Sequence, residues 1–91
     1  MVRRSKLEIL FTVLDVIDRE NHKSTRIMYR ANLSHKSLKE AISVLSNNGF
    51  IKEEQKNKFT RYYITEKGKN ALLYYNKSLE GLVITTDNLE I

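Results

Sequence analysis

The side chains able to do chemistry in this sequence are mostly cationic, and they are unevenly placed. Residues 22–62 hold nine Lys and Arg (Lys23, Arg26, Arg30, Lys36, Lys39, Lys52, Lys56, Lys58 and Arg61) against Glu40, Glu53 and Glu54, a net of +6. Residues 1–21 are neutral and residues 63–91 sum to −1, so the whole excess of +5 lies in the middle. A surface charged only for solubility usually intersperses the two signs. A block of one sign points to an anionic partner. Other chemistries lack their groups. The absence of Cys removes disulfides, thiol catalysis, iron–sulfur clusters and Cys-based zinc sites. His22 and His35 are the only histidines, with no carboxylate at ligand spacing, so no metal site is expected. There is no phosphate-binding glycine loop, no nucleophile motif and no carboxylate pair placed for acid–base work. The expectation is of no enzyme, no cofactor and no small-molecule ligand.

The elements that must position these cations belong to one small domain. The chain has 91 residues, and a chain of that length buries only roughly 60–65% of the surface exposed by its unfolded form. Dimerisation would add core. An apolar content of 41% with three Gly argues against disorder. No apolar run approaches the ~18–20 residues of a membrane span. The first residues are basic, but Glu8, Asp15 and Asp18 follow, so no signal peptide is expected. With no Cys, a reducing, cytoplasmic setting fits.

Ser5-Lys6-Leu7-Glu8 reads as a capping box opening a helix from Lys6 to Arg19 or Glu20, with a wide apolar face. Ser24 is expected to cap a second helix, Thr25 to Ala31, which Asn32 ends in the left-handed conformation. Ser34 caps a third helix, His35 to Asn47, with Leu38, Ala41, Ile42 and Leu45 at i, i+3, i+4, i+7 spacing. Asn48-Gly49 stops it. Phe50 to Gln55 and Phe59 to Ile64 read as two strands around a turn at Lys56-Asn57-Lys58. Thr65 caps a fourth helix that is expected to end at Gly81, leaving 82–91 as a tail. Gly68 sits in the first turn of that helix, where Ala would be better by about 1 kcal/mol, so a close approach of another backbone is expected there.

A helix-turn-helix followed at once by a hairpin is the arrangement of a winged helix. The expected fold class is therefore α+β, mostly α: a three-helix core, a two-stranded hairpin wing and a fourth helix, residues 1–81 forming the domain. Four segments in order carry a resemblance: Arg3-Arg4-Ser5-Lys6-Leu7-Glu8-Ile9-Leu10, Thr25 to Ser34, Asn48-Gly49-Phe50-Ile51, and Tyr63-Ile64-Thr65-Glu66-Lys67-Gly68. Together they resemble the small archaeal winged-helix regulators, whose relatives occur in archaeal viruses and plasmids. The resemblance covers residues 3–75. It implies a DNA-binding regulator or chromosome-associated protein, commonly a homodimer, in an archaeal cell or its nucleoid. Some of those relatives extend the last helix into a long coiled coil, and a stop at Gly81 departs from them.

In such docking the third helix meets base edges and the hairpin lies on the backbone or minor groove. Candidate contacts on the recognition helix, about 35–47, are His35, Lys36, Ser37, Lys39, Glu40 and Ser43. Lys36 and Lys39 can donate to guanine, the serines to bases or phosphates, and Glu40 can accept from cytosine or merely offset the lysines. Wing candidates, about 55–61, are Lys56, Asn57, Lys58 and Arg61. The same charges also keep a hairpin edge from pairing with another chain. Ser24, Thr25, Arg26 and Arg30 are candidates for phosphate at the second helix, and Arg3 and Arg4 as an arm. Of the five tyrosines, Tyr29, Tyr62, Tyr63, Tyr74 and Tyr75, most sit at core or strand positions, so packing is the better reading than a platform for single strands. The wide apolar face of the first helix and the stripe on the fourth could each form the dimer. The contact is expected on the fourth helix and tail, at Leu72, Tyr75, Leu79 and Leu82, since the first helix is usually the domain's own core. The expected partner is double-stranded DNA, bound sequence-specifically by a transcriptional regulator. A winged helix used for protein–protein contact and a sequence-independent DNA coat are the alternatives.

Overall fold

The structure, a computed structural model, describes residues 5–89, with side chains through residue 78. Helix α1 spans Lys6–Asp18, α2 Ser24–Ala31 and α3 His35–Asn47; strands β1, Ile51–Lys56, and β2, Phe59–Ile64, follow, then α4, Glu66–Leu89. Ser5 Oγ accepts from the Glu8 N–H at 3.1 Å and starts α1. This helix buries Val13, Leu14, Val16 and Ile17 and packs on α2, α3, α4 and β2. It ends one residue short of Arg19, where the Asn21 amide donates to the Val16 and Arg19 carbonyls and turns the chain.

Ser24 is not the cap of α2. Lys23 holds that position without a side-chain hydrogen bond, and Ser24 is the first helical residue. The reason is tertiary. Lys23 is drawn into an antiparallel bridge with Arg61, and the Tyr62 N–H donates to the His22 carbonyl at 3.0 Å. The extended backbone therefore runs one residue further than local capping rules suggest. At the other end Asn32 adopts φ 54°, ψ 54°, and the Leu33 N–H returns to the Met28 carbonyl at 3.0 Å. That pair of features is a Schellman closure, with Leu33 packed on the core. Ser34 caps α3, accepting from the Ser37 N–H at 3.1 Å.

Gly49, at φ 75°, ends α3, and the Phe50 N–H bonds the Leu45 carbonyl at 2.9 Å. The two strands pair antiparallel from Ile51 opposite Ile64 to Lys56 opposite Phe59, around Asn57-Lys58, with Asn57 at φ 58°. β1 begins one residue after Phe50, because that residue's amide is already used in closing α3. Ile51, Tyr62 and Ile64 share the hairpin face that packs on the core; Lys56, Phe59, Arg61 and Tyr63 share the other.

Gly68 has the close approach expected of it. A Cβ there would run into the Phe50 carbonyl oxygen and lie 2.8 Å from Ile64 Cγ1. Thr65 Oγ1 accepts from the Gly68 N–H at 3.1 Å and donates to the Gly49 carbonyl at 2.7 Å. Lys67 Nζ donates to the Asn48 carbonyl at 2.9 Å. The first turn of α4 thus clamps the end of α3.

The expected stop at Gly81 does not occur: α4 continues through it to Leu89, taking in most of the segment read as a tail. Glycine permits a left-handed stop without requiring one, its cost inside a helix is about 1 kcal/mol, and the chain has no Pro to block continuation. Leu72, expected at a dimer contact, is 6% exposed and belongs to the protomer's own core. Tyr75 is half-buried, stacked on Phe11 with ring centroids 4.1 Å apart. Leu79 and Leu82, as side chains, and Arg3 and Arg4 lie outside the described residues. No helix among the described residues is long and apolar enough to cross a membrane.

Candidate nucleic-acid interface

The helical spacing of α3 turns Leu38, Ala41, Ile42 and Leu45 inward, so His35, Lys36, Lys39, Glu40 and Ser43 are exposed, while Ser37 is half-buried. The exposed residues divide between two sides of the helix. On one side His35 and Lys39 line a groove of about 200 Å³ with Ser24, Thr25 and Met28 of α2 and Tyr62 of β2. On the other, Ser37, Glu40 and Ser43 line a groove against Lys6, Ile9 and Leu10 of α1. Ser37 also takes a hydrogen bond from the Ser34 hydroxyl at 3.1 Å, so its side chain is part of the helix cap. Lys36 lines neither groove and points between them.

The α2 groove adjoins a second trough through Thr25, which lines both; Lys23, Arg26, Tyr29 and Arg30 complete it. Among the described residues no carboxylate lines either of these two grooves. Lys39, Lys23, Arg26 and Arg30 therefore face one continuous surface, joined at Thr25, with His35 and Tyr62 on the Lys39 side. The N–H groups of Ser24, Thr25 and Arg26 precede the first intrahelical bond, from the Ile27 N–H to the Lys23 carbonyl at 2.9 Å. The Tyr62 phenol is raised above its ordinary value by burial and, secondarily, by the Glu53 carboxylate, so it stays protonated and able to donate.

In the wing, Lys56, Asn57 and Lys58 are exposed at the tip. Arg61 is half-buried on the face opposite Tyr62, its Nε without a hydrogen-bond partner, and Glu54 lies across from it. The structure thus brings Ser24, Thr25, His35 and Lys39 together, continues the surface with Arg26 and Arg30, and sets Glu40 and Ser37 apart on the α1 side. Lys23 and Tyr62 belong to the surface but escape a sequence reading. Lys23 falls in a loop whose pairing with β2 is long-range, and Tyr62 looks like any strand aromatic. His22 ties the α1–α2 loop to β2: its Nδ1 lies 2.9 Å from the Tyr62 carbonyl, and its ring rests on Tyr63 at 4.4 Å. Among the described residues no three His, Asp or Glu gather as metal ligands.

The tyrosines do not all pack. Tyr62, Tyr63 and Tyr75 are half-buried, but Tyr29 is 83% exposed and Tyr74 76%. Tyr29 sits three residues after Arg26 and one before Arg30, on the side of α2 away from Ile27 and Ala31. The period of α2 carried that signal.

Comparison with known proteins extends the likeness beyond the fold. The protein MJ0287 of Methanocaldococcus jannaschii is 42% identical over 67 residues, which are 74% of this chain and 65% of that one. A second protein of that archaeon, MJ0290, is 35% identical over 78% of this chain and 32% of its own length. The chain thus spans less than two thirds of either relative. Among solved structures, Sso10a-2, a DNA-binding protein from Sulfolobus solfataricus, superposes with a TM-score of 0.74 at 25% identity, covering 96% of this chain and 94% of that one. The transcriptional regulator BldR from the same organism superposes with a TM-score of 0.75 at 22% identity, over 86% of this chain and 58% of that one. The matched family and the fold are of winged-helix type and are not those of enzymes. With the winged helix-turn-helix family matched over residues 3–81, from ahead of α1 to well along α4, the chain belongs to that family.

Proposed function

We propose that this chain binds double-stranded DNA sequence-specifically as a transcriptional regulator, and does so as a homodimer. The observation that carries the reading is the pair of adjoining grooves around α2 and α3, which gather Lys23, Arg26, Arg30 and Lys39 with no carboxylate among their described lining. The DNA-binding and regulatory descriptions of Sso10a-2 and BldR support it. In this docking α3 enters the major groove, with Lys36 and Lys39 donating to guanine N7 and O6 and Ser43 to a base or phosphate. Glu40, on the α1 side, accepts from cytosine at the rim. A phosphate rests against Ser24, Thr25 and the start of α2, within reach of Lys39 and the Tyr62 hydroxyl. Lys56, Asn57 and Lys58 follow the neighbouring backbone, and Arg3 and Arg4 add phosphate contacts.

A homodimer along α4 would set the two recognition helices about 34 Å apart, one turn of duplex. Its 24 residues reach about 36 Å at 1.5 Å per residue. Leu72 and Tyr75 are committed within the protomer, so the contact falls on Leu73 and Tyr74, both exposed, and on Leu79 and Leu82 further along.

Footprinting against random genomic fragments tests the function. A regulator protects a discrete site of two half-sites. Uniform protection of all fragments would assign a sequence-independent coat instead. If a dimer neutralises about eight phosphates, log affinity falls with log salt at a slope near −7, and a flat response would reject duplex binding altogether.

A further inference from the structure

The flank of α2 carries a feature that duplex recognition does not use. Tyr29 is 83% exposed, and Arg26 and Arg30 stand beside it in a trough completed by Lys23 and Thr25. Positions 23, 26, 29 and 30 fall on one face of the helix and its N-cap. The Lys23 ammonium lies 5.5 Å from the centroid of the Phe59 ring, itself 60% exposed. One exposed ring thus lies against the Lys23 ammonium, and a second, Tyr29, lines the same trough as Lys23, Arg26 and Arg30. Phosphate binding alone explains the cations but gives no reason for the rings. In a duplex the base faces are already stacked on one another, and an aromatic side chain on the flank meets only sugar and phosphate. Unpaired bases present their faces, and the pairing of aromatic rings with a cationic track is what holds them. Guanidinium planes add stacking of their own.

We infer that this flank, formed by Lys23, Arg26, Tyr29, Arg30 and Phe59, is a second nucleic-acid site that takes unpaired bases of a single strand. Tyr29 stacks on one base and Phe59 on another, while Lys23, Arg26 and Arg30 hold the intervening phosphates. Charge decides for an anionic occupant, and the two exposed rings, which match flat base faces, decide for nucleic acid over an acidic polypeptide. The trough has three cations and no carboxylate among its described lining, and on the adjoining hairpin face Glu54 is outnumbered by Lys52, Lys56 and Arg61. The trough meets the groove between α2, α3 and Tyr62 at Thr25, so duplex and single strand share the cations Lys23, Arg26 and Arg30, and only the single strand uses the rings.

The test uses the full chain, a labelled oligothymidylate of about 15 nucleotides and a labelled duplex of mixed sequence, read by fluorescence anisotropy. The wild type binds the oligothymidylate. Tyr29→Ala and Phe59→Ala each weaken it by about 5- to 10-fold, Tyr29→Trp restores it, and duplex affinity stays within about twofold throughout. Tyr29 and Phe59 are exposed, and an unchanged circular dichroism melt confirms folding. Oligothymidylate affinity unchanged in both Ala variants overturns the inference, as does an equal loss on duplex and single strand. Failure of the wild type to bind the single strand, or displacement by polyglutamate as efficient as by unlabelled oligothymidylate, also overturns it. Loss of duplex binding alone would reject the duplex-binding regulator and leave this site standing.

Discussion

The two ends of α3 are built on opposite principles. At its C-terminal end the backbone is enclosed: Asn48, Gly49 and Phe50 give their carbonyls to Lys67, Thr65 Oγ1 and the Thr65 N–H. The Phe50 carbonyl also lies against Gly68, with no room for one carbon more. At its N-terminal end the cap is satisfied by Ser34, but the side chains beyond it open onto a groove shared with α2. The Ser24, Thr25 and Arg26 amides there precede any helical bond. The contrast shows a division of labour. The closed end fixes the angle between recognition helix, wing and α4, and the open end turns hydroxyls and cations toward a groove that suits an anion. Mutations should separate the two, costing stability at one end and affinity at the other.

The largest effect is expected at the closed end. Gly68→Ala raises helix propensity yet should destabilise the fold by about 3 kcal/mol, because the added methyl meets a backbone carbonyl that cannot turn aside as a side chain would. Urea denaturation measures it; a neutral or stabilised variant would mean that the clamp is not tight. At the open end, the double change Lys36→Ala and Lys39→Ala should leave stability within about 0.5 kcal/mol. It should weaken duplex binding by about 10- to 100-fold and flatten the salt slope by about one unit for each phosphate that is no longer neutralised. Wild-type gel shifts from that variant would move the interface elsewhere and favour a protein–protein role for the fold.

Thr65→Ala removes a cap and a bond to Gly49 together and should cost about 1–2 kcal/mol, with specific affinity falling only as far as unfolding accounts for. The smallest effect concerns Tyr62, which lies between the two regimes, packed on the core yet lining the open groove. Its phenol is raised in the folded state, so the native form favours the proton. That contribution is complete below the ordinary tyrosine value near 10 and is lost as pH rises through the raised folded value. Wild type should therefore lose stability relative to Tyr62→Phe on titration above pH about 10, and parallel stability curves would remove the claim.

The elements were legible because each carries its own local instructions. The apolar period of α3, the serines at 5 and 34, Asn32 and Gly49 at left-handed stops, and Asn57 at the hairpin tip all act within a few residues. Gly68 was legible in a different way. A glycine where Ala would be better implies a neighbour, though not which one. The readings that failed depended on partners distant in sequence or on what a residue permits as against what it requires. Ser24 lost the cap because Lys23 pairs with a strand nearly forty residues on. Gly81 permits a stop, but α4 runs on. Leu72 and Tyr75 carried the right apolar spacing, yet spacing does not say which of two surfaces, core or second copy, receives the stripe.

The amino-acid sequence by itself determined the order of helices and strands, the winged helix-turn-helix class that follows from that order, and the concentration of positive charge in residues 22–62. These depend on propensity, periodicity and composition, which are properties of the chain before it folds. Only the tertiary structure decided that His35 and Lys39 share a groove with Ser24 and Thr25 while Ser37 and Glu40 face α1. It alone left Tyr29 open to solvent while stacking Tyr75 on Phe11. The physical reason is that a helical face is a direction. Whether that direction meets core, groove or water depends on which other elements dock against it.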